Sequence, residues 1–403
     1  MDTNHKNEAV ILSAVRTPQG KFRGALSSIP ATELGALVVR AAVERAKLKD
    51  PEEVNEVLMG NVVSAGIGQA PARQAAIFSG LPSSVGATTI NKVCGSGLKT
   101  VMLAAQAIKA GDGDLYVAGG MESMSRAPYL LDGRMGELRY GHNQLTDSLM
   151  QDGLFDPFEK WIMGEAAEFI SEEYEVTRQA MDDWALKSHQ KAAAATEDGK
   201  FKEEIVPVEV KGRKGAVTVV DKDEPIRADT SMEALAKLPP VFKEGGKVTA
   251  GNAPSLNDGA SAAVVASRAK AEELGQQPLA SVIGYTQVAV DPKYIFIAPA
   301  RAIPKLLDKV GWKLDDVDLI ELNEAYAAQV LADGYALHDA GWDWDKVNVH
   351  GGAIALGHPL GASGTRVLTT LIYALKDRGL KRGIASLCLG GAEAVAMAIE
   401  IED

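Results

Sequence analysis

The sequence predicts a layered α/β fold built from two similar lobes with a different segment between them. Three observations carry this. Strand-like apolar runs alternate with helix-like periodic stretches through most of the 403 residues, the pattern of a sheet covered by helices. One plan (strand, glycine turn, helix, strand ending in a glycine pair) occurs around Cys94 and again in the last third of the chain. From about Met121 to Lys247 charge and turn residues rise and the periodicity weakens. A repeat this long means paired domains rather than a solenoid, and the chain exceeds the size at which a single core keeps growing.

In order, Ala9 to Ala14 reads as a buried strand. Ala31 to Lys49 reads as a long helix ended by Asp50-Pro51. Val54 to Gly60 and Thr88 to Asn91 are strands, the second leading into the Cys94 turn. A helix follows from about Gly97; Leu98, Val101, Met102, Ala105 and Ile108 form its apolar stripe and Gly111 stops it. Leu115 to Ala118 is a strand ending in Gly119-Gly120. In the middle section, Asp132 to Asp156 reads as a long excursion or an oligomer contact, Glu165 to Ala194 as helix, and Lys211 to Gly215 as a basic turn. The first lobe resumes near Val248. Arg301 to Val310 is a helix closed by Gly311, and Val317 to Leu322 and Val347 to Val349 are strands. After the glycine-rich stretch Gly351 to Gly364 come a helix from about Thr365 to Lys376, a strand from Gly383 to Leu389 ending in Gly390-Gly391, and a last strand from Ala394 to Ile401. The expected division is 1–120 with 248–272, an inserted 121–247, and 273–403.

Composition narrows the function classes. A chain 46% hydrophobic and 24% charged is ordinary for a globular protein. No run of about 18 apolar residues predicts a membrane span, and Met1 to Glu8 lacks the apolar region of a secretory signal. Two distant cysteines make no disulfide framework and fit a reducing cytosol, so a cytoplasmic location is expected. A net charge of −12 argues against nucleic-acid binding. An anionic ligand therefore needs a local basic group, and Lys211, Arg213, Lys214 and Arg227 are the best candidates, against the alternative of solvated surface.

Both cysteines sit beside glycines. Cys94 stands in Asn91-Lys92-Val93-Cys94-Gly95-Ser96-Gly97, between a strand and a helix N-terminus, where N–H groups and the macrodipole lower a thiol pKa. The alternative is a small apolar residue in a tight turn. A nucleophilic thiol wants a base. His5, His142, His189 and His338 lie in ragged or polar segments and read as solvated. His350 closes a strand and has a structural reading. His358, in a glycine-rich loop with little to pack against, reads as facing a cavity. No acidic or cysteine ligand lies near His350 and His358 in sequence, so no metal site is expected. Asn323, opening Asn323-Glu324-Ala325-Tyr326, is either a helix N-cap or an amide that orients a water or donates to an oxyanion. Gly119-Gly120 and Gly390-Gly391 match neither nucleotide-binding glycine pattern, and Gly390 reads as an N–H donor to an oxygen bound beside Cys388.

These residues together resemble the thiolase family, in its acetyl-CoA C-acetyltransferase branch. The resemblance runs from Arg16-Thr17-Pro18 and Gly20-Lys21-Phe22, through the Cys94 block, Gly119 to Ser125 and Val248-Thr249-Ala250-Gly251-Asn252, to Asn323-Glu324-Ala325, Gly351 to Gly364 and Cys388-Leu389-Gly390-Gly391. It implies a five-layer α/β/α/β/α fold of two duplicated halves with an inserted loop domain, assembled as a homotetramer. It implies reversible Claisen condensation of two acetyl-CoA to acetoacetyl-CoA plus CoA through an acetyl-cysteine. In that reading Cys94 is the nucleophile, His358 activates it, and Cys388 is the acid/base. Asn323 holds a water, and Cys94 and Gly390 supply oxyanion N–H groups. Met163, Arg227, Ala250, Phe296, Ala325 and Tyr326 are expected to bind substrate, with no metal or redox cofactor and coenzyme A thioesters as substrates.

Several positions depart from the family pattern. Ile162 stands where histidine is typical, Pro254 where a serine is usual, Ile295 to Pro299 where Met-Gly-x-Gly-Pro is usual, and Ala392 where a third glycine is usual. Phe296 at a usual glycine is expected to shrink the acyl pocket. The rival readings are a degradative 3-ketoacyl-CoA thiolase for longer chains, a decarboxylating ketoacyl synthase (disfavoured because Cys388 stands where that enzyme has histidine), an acyl-CoA hydrolase, and a non-catalytic scaffold.

Overall fold

A computed structural model describes residues 6–133, 142–212 and 215–402. His5, Arg213, Lys214 and part of the Asp132–Asp156 stretch lie outside them. The strands are β1 (Ala9–Arg16), β2 (Gly20–Lys21), β3 (Glu56–Gly60), β4 (Gly86–Ile90) and β5 (Leu115–Ser123), then two separate ribbons, β6 (Tyr129–Leu130) with β7 (Thr146–Asp147) and β8 (Val208–Lys211) with β9 (Val217–Val220), then β10 (Asn257–Ser267), β11 (Ala280–Ala289), β12 (Leu319–Leu322), β13 (Arg382–Leu389) and β14 (Glu393–Ile401).

The main sheet runs β12-β13-β14-β11-β1-β10-β5-β3-β4, with β2 paired to β10. Its order carries the duplication. In the first half β4, β3 and β5 are parallel, and β10 and β1 follow antiparallel. In the second half β12 and β13 are parallel, and β14 and β11 follow antiparallel. Val347 bridges in parallel to Ile320, at the place β4 holds in the first half. The halves meet where β1 pairs β11 through Val10 with Ser281 and Ile11 with Ala280.

The layers follow from strand alternation, which sends successive side chains to opposite faces. Ala9 and Ile11 of β1 face a core with Leu98, Val101 and Met102 of the Ser96–Ala110 helix and Val367, Leu368 and Leu371 of the Leu360–Arg378 helix. Leu387, Val395 and Met397 of the second half close the same core from the other side, so these two helices form the middle layer. Val10 and Leu12 face the opposite way, onto Leu34, Val38 and Val39 of the Ala31–Arg45 helix. Ile303 and Leu306 of Pro299–Val310 and Val330 of Ala327–Ala336 cover the second half's outer face. Helix, sheet, helix, sheet, helix is the resulting five-layer arrangement.

Several expected boundaries move for physical reasons. The first long helix ends at Arg45, and Lys47 takes a left-handed φ of 50° before Asp50-Pro51 is reached. Glu165–Ala194 is two helices, Met163–Glu173 and Arg178–Glu197, broken where Glu175 has φ 52°. Glu165 Oε2 accepts the Ile162 N–H at 2.8 Å, fixing the first of them. Val347–Val349 is an isolated bridge rather than a strand. The last long helix begins at Leu360 rather than Thr365, so Gly361 and Gly364 are helical. β5 continues through Gly119-Gly120 instead of ending there. Among the described residues no helix is long and apolar enough to cross a membrane.

Candidate active site

A cavity of about 350 Å³ opens between the two halves and the middle section of the chain. Its inner wall holds Cys94, His358, Cys388, Leu389 and Gly390. Met163, Ala250, Phe296, Ala325 and Tyr326 line it too, and Arg227 stands exposed outside that lining. Four of the positions that depart from the family pattern, Ile162, Pro254, Ile295 and Phe296, are on the wall.

Cys94 lies in the turn between β4 and the Ser96–Ala110 helix. Val93 there takes φ 45°, a strained conformation for a β-branched residue. Ser96 braces the turn: its hydroxyl accepts the Lys92 N–H at 2.8 Å and donates to the Val93 carbonyl at 2.7 Å. A Cβ on Gly95 would stand 2.5 Å from Leu389 Cδ2, so any larger residue there would have to push that side chain aside. The backbone N–H groups of Gly390 and of Cys94 itself donate to the Cys94 sulfur. Burial nevertheless pushes the thiol up to about 11, against those two donors, with the Glu122 carboxylate adding to the rise. The thiol pKa is therefore raised where the sequence predicts it lowered: desolvation outweighs the two N–H groups.

Cys388 sits on β13, one residue before its end, and is 1% exposed. Burial first, then Cys94 and Asp333, holds its thiol well above the ordinary range. His358 is anchored by its N–H, which donates to Asn257 Oδ1 at 2.8 Å. Its Nδ1 is 2.7 Å from Ser363 Oγ, and that hydroxyl donates to the Pro359 carbonyl at 2.8 Å. A serine hydroxyl has one hydrogen, so Nδ1 is assigned as the donor and Nε2 keeps its lone pair. Burial, then the Arg366 charge, lowers His358 to about 3, so the ring is neutral at pH 7. Both groups are therefore neutral at rest.

Asn323 is fully buried at the end of β12, beside the strand bearing Cys388. It is not an N-cap: the next helix starts at Ala327, with Tyr326 at the cap position. Asn323 Oδ1 accepts from Arg366 Nη2 at 3.4 Å, and among the described residues its Nδ2 has no hydrogen-bond partner. His189 is buried, not solvated: its Nδ1 accepts the Arg227 N–H at 3.1 Å. His350 is buried against the Phe201 ring. Among the described residues no group of three or more His, Cys, Asp or Glu could hold a metal ion.

Sequence reasoning missed four supporting residues. Glu122 accepts N–H groups from Val62, Val63 and Gly361 and the amide of Asn61. Asn257 and Ser363 set His358 as described, and Arg366 holds Glu321 at 3.2 Å as well as Asn323. For Glu122 and Arg366 a charged residue inside an apolar segment was the available signal; Asn257 and Ser363 carried none.

Family comparison agrees with this geometry. Residues 9–269 match the thiolase N-terminal domain and residues 276–401 the thiolase C-terminal domain. The chain belongs to the thiolase family. This thiolase is 52% identical to the acetyl-CoA acetyltransferase of Cupriavidus necator over 98% of its own length and 99% of the relative's. It is 52% identical to that of Pseudomonas aeruginosa, over 97% and 99%. The crystal structure of the Bacillus anthracis acetyl-CoA acetyltransferase superposes with a TM-score of 0.95 at 44% identity, covering 99% of this thiolase and all of that chain.

Proposed function

We infer that this thiolase is an acetyl-CoA acetyltransferase that condenses two acetyl-CoA reversibly to acetoacetyl-CoA and CoA. The observation that carries the reading is the meeting of Cys94, His358, Cys388 and Gly390 on one cavity wall. Cys94 attacks the acetyl carbonyl while its proton passes to His358 Nε2. The developing oxyanion accepts the N–H groups of Cys94 and Gly390, preorganised donors in a water-poor site. The CoA sulfur leaves and takes the Cys388 proton. Cys388, now a thiolate, removes the α-proton of the second acetyl-CoA. The enolate oxygen is stabilised by the His358 imidazolium and by a water held on the free Nδ2 of Asn323. Attack on the acetyl-cysteine then expels the Cys94 thiolate, which recovers its proton from His358. Every proton is accounted for with side chains and coenzyme A thioesters alone.

The same reading takes 121–247 as a loop domain inserted between 1–120 and 248–272, with 273–403 as the second half. It also takes the protein as a cytoplasmic homotetramer. Tyr129, Leu145 and Phe158, each more than half exposed in the middle section, support a contact between copies.

The test uses acetyl-CoA and mass spectrometry. The wild-type chain is expected to gain one acetyl group on Cys94. Cys388→Ala is expected to keep acquiring it, more slowly, while condensation falls about a hundredfold or more. Hydrolysis of acetyl-CoA without condensation, undiminished in Cys388→Ala, would point instead to a hydrolase, and no acetyl on Cys94 to a scaffold.

A further inference from the structure

We propose that Tyr326 extends the acyl donors of this site to 2-hydroxyacyl thioesters, its phenol O–H donating a hydrogen bond to the acyl hydroxyl. The proposal rests on the acyl-transfer reading above and names a substrate class for the same cavity.

The wall of the cavity is mostly apolar, with side chains such as Met163, Phe242, Ile295 and Phe296. Each of its other hydroxyls makes at least one hydrogen bond. Ser255 donates to Asn257 Oδ1 at 3.2 Å, and Thr249 Oγ1 accepts the Gly251 N–H at 3.1 Å. Tyr326 differs: among the described residues its hydroxyl has no hydrogen-bond partner. The ring is held from two sides by edge contacts, with centroids 5.3 Å from Phe296 and 6.3 Å from Phe242. Its backbone is extended (φ −156°, ψ 152°) just before the Ala327–Ala336 helix, whose first N–H donates to Asn252 O at 3.0 Å. The phenol is therefore a positioned donor rather than a swinging one.

It lines the same cavity as the Cys94 and Cys388 sulfurs. Burial, then the charges that Cys94 and Cys388 would carry, raises the Tyr326 pKa, so the group stays protonated and is sensed by both sulfurs. An acyl group on Cys94 grows into the space these three side chains share. A methyl pressed against an unpaired hydroxyl removes it from water with nothing in return. A hydroxyl of nearly the same volume restores the hydrogen bond. Hydroxyacetyl and propionyl groups differ in only this way.

The step is ordinary acylation. The Cys94 sulfur–carbon bond forms, the CoA sulfur–carbon bond breaks, and the thiol proton is balanced by the one that CoA receives. The test is competition: equimolar hydroxyacetyl-CoA and propionyl-CoA in one tube, with the two Cys94 adducts resolved by mass at early times. A ratio between adducts is independent of how much of a variant is folded. The wild-type chain is expected to favour hydroxyacetyl about tenfold, and Tyr326→Phe, which keeps the ring, to bring the ratio close to one. A wild-type ratio near one overturns the proposal, as does a preference that persists in Tyr326→Phe. Acetyl-CoA run in parallel separates the two readings: acetyl on Cys94 with no hydroxyacetyl preference sinks this proposal alone, and no acetyl on Cys94 sinks both.

Discussion

Ser363 decides which nitrogen of His358 faces the cavity. Its hydroxyl donates to the Pro359 carbonyl and so can only accept from Nδ1. Nε2 is left with a free lone pair, which the proposed mechanism uses to accept the Cys94 proton, and the low pKa of the buried ring keeps it unprotonated. Ser363→Ala frees the imidazole to take the other tautomer without touching either cysteine. Acetylation of Cys94 is expected to slow about tenfold, while the thermal midpoint moves little because one small hydroxyl is removed. Stopped-time mass spectrometry of the acetyl adduct checks this, and Ser363→Thr, which returns the hydroxyl, is expected to restore most of the rate. An unchanged rate in Ser363→Ala would remove the tautomer argument.

At the scale of elements, glycines mark where two backbones meet rather than where strands stop. β5 passes through Gly119 and Gly120 because a Cβ on Gly120 would stand 1.8 Å from the Gly361 carbonyl oxygen. Backbone cannot yield as a side chain does, so Gly120→Ala is expected to cost about 3 kcal/mol or more and to lower the unfolding midpoint sharply. Gly86→Ala in β4 is the control, because its nearest neighbour would be 3.8 Å away and its φ is ordinary. Equal midpoints for the two variants would contradict the close-approach account. The same point explains what was legible in the sequence. The duplicated plan and the Cys94–His358–Cys388 set could be read because apolar runs and reactive side chains among glycines are local signals. The uninterrupted β5 and the early start of the Leu360–Arg378 helix could not, because glycine argues locally against both. Only the contact between halves, Gly120 on Gly361 and Gly97 against Thr365, requires glycine there.

At the scale of the molecule, Glu122 joins the halves at the reaction site. Its carboxylate, on β5, accepts N–H groups from Val62 and Val63 of the first half and from Gly361 of the helix that follows His358. It reads in sequence as one charged residue after a glycine pair, and its partners lie 59 to 239 positions away. Burial raises its pKa from 4.5 to about 7, against the bonds from Val62, Gly361 and Val63. A folded pKa above the unfolded one means the folded chain holds its proton more tightly. That contribution to stability is fully present below pH 4.5 and is lost as the pH rises through 7. Glu122→Gln has no proton to lose. The stability difference, wild type minus Glu122→Gln, is therefore expected to fall by about 3 kcal/mol between pH 4.5 and pH 8. Denaturant midpoints of both proteins across that range measure it, and the subtraction cancels every other titrating group that the two share. A difference that stays flat, or that rises with pH, would mean the donated N–H groups outweigh burial. In that case Glu122 would be an anion in the folded chain throughout, holding the two halves together by charge.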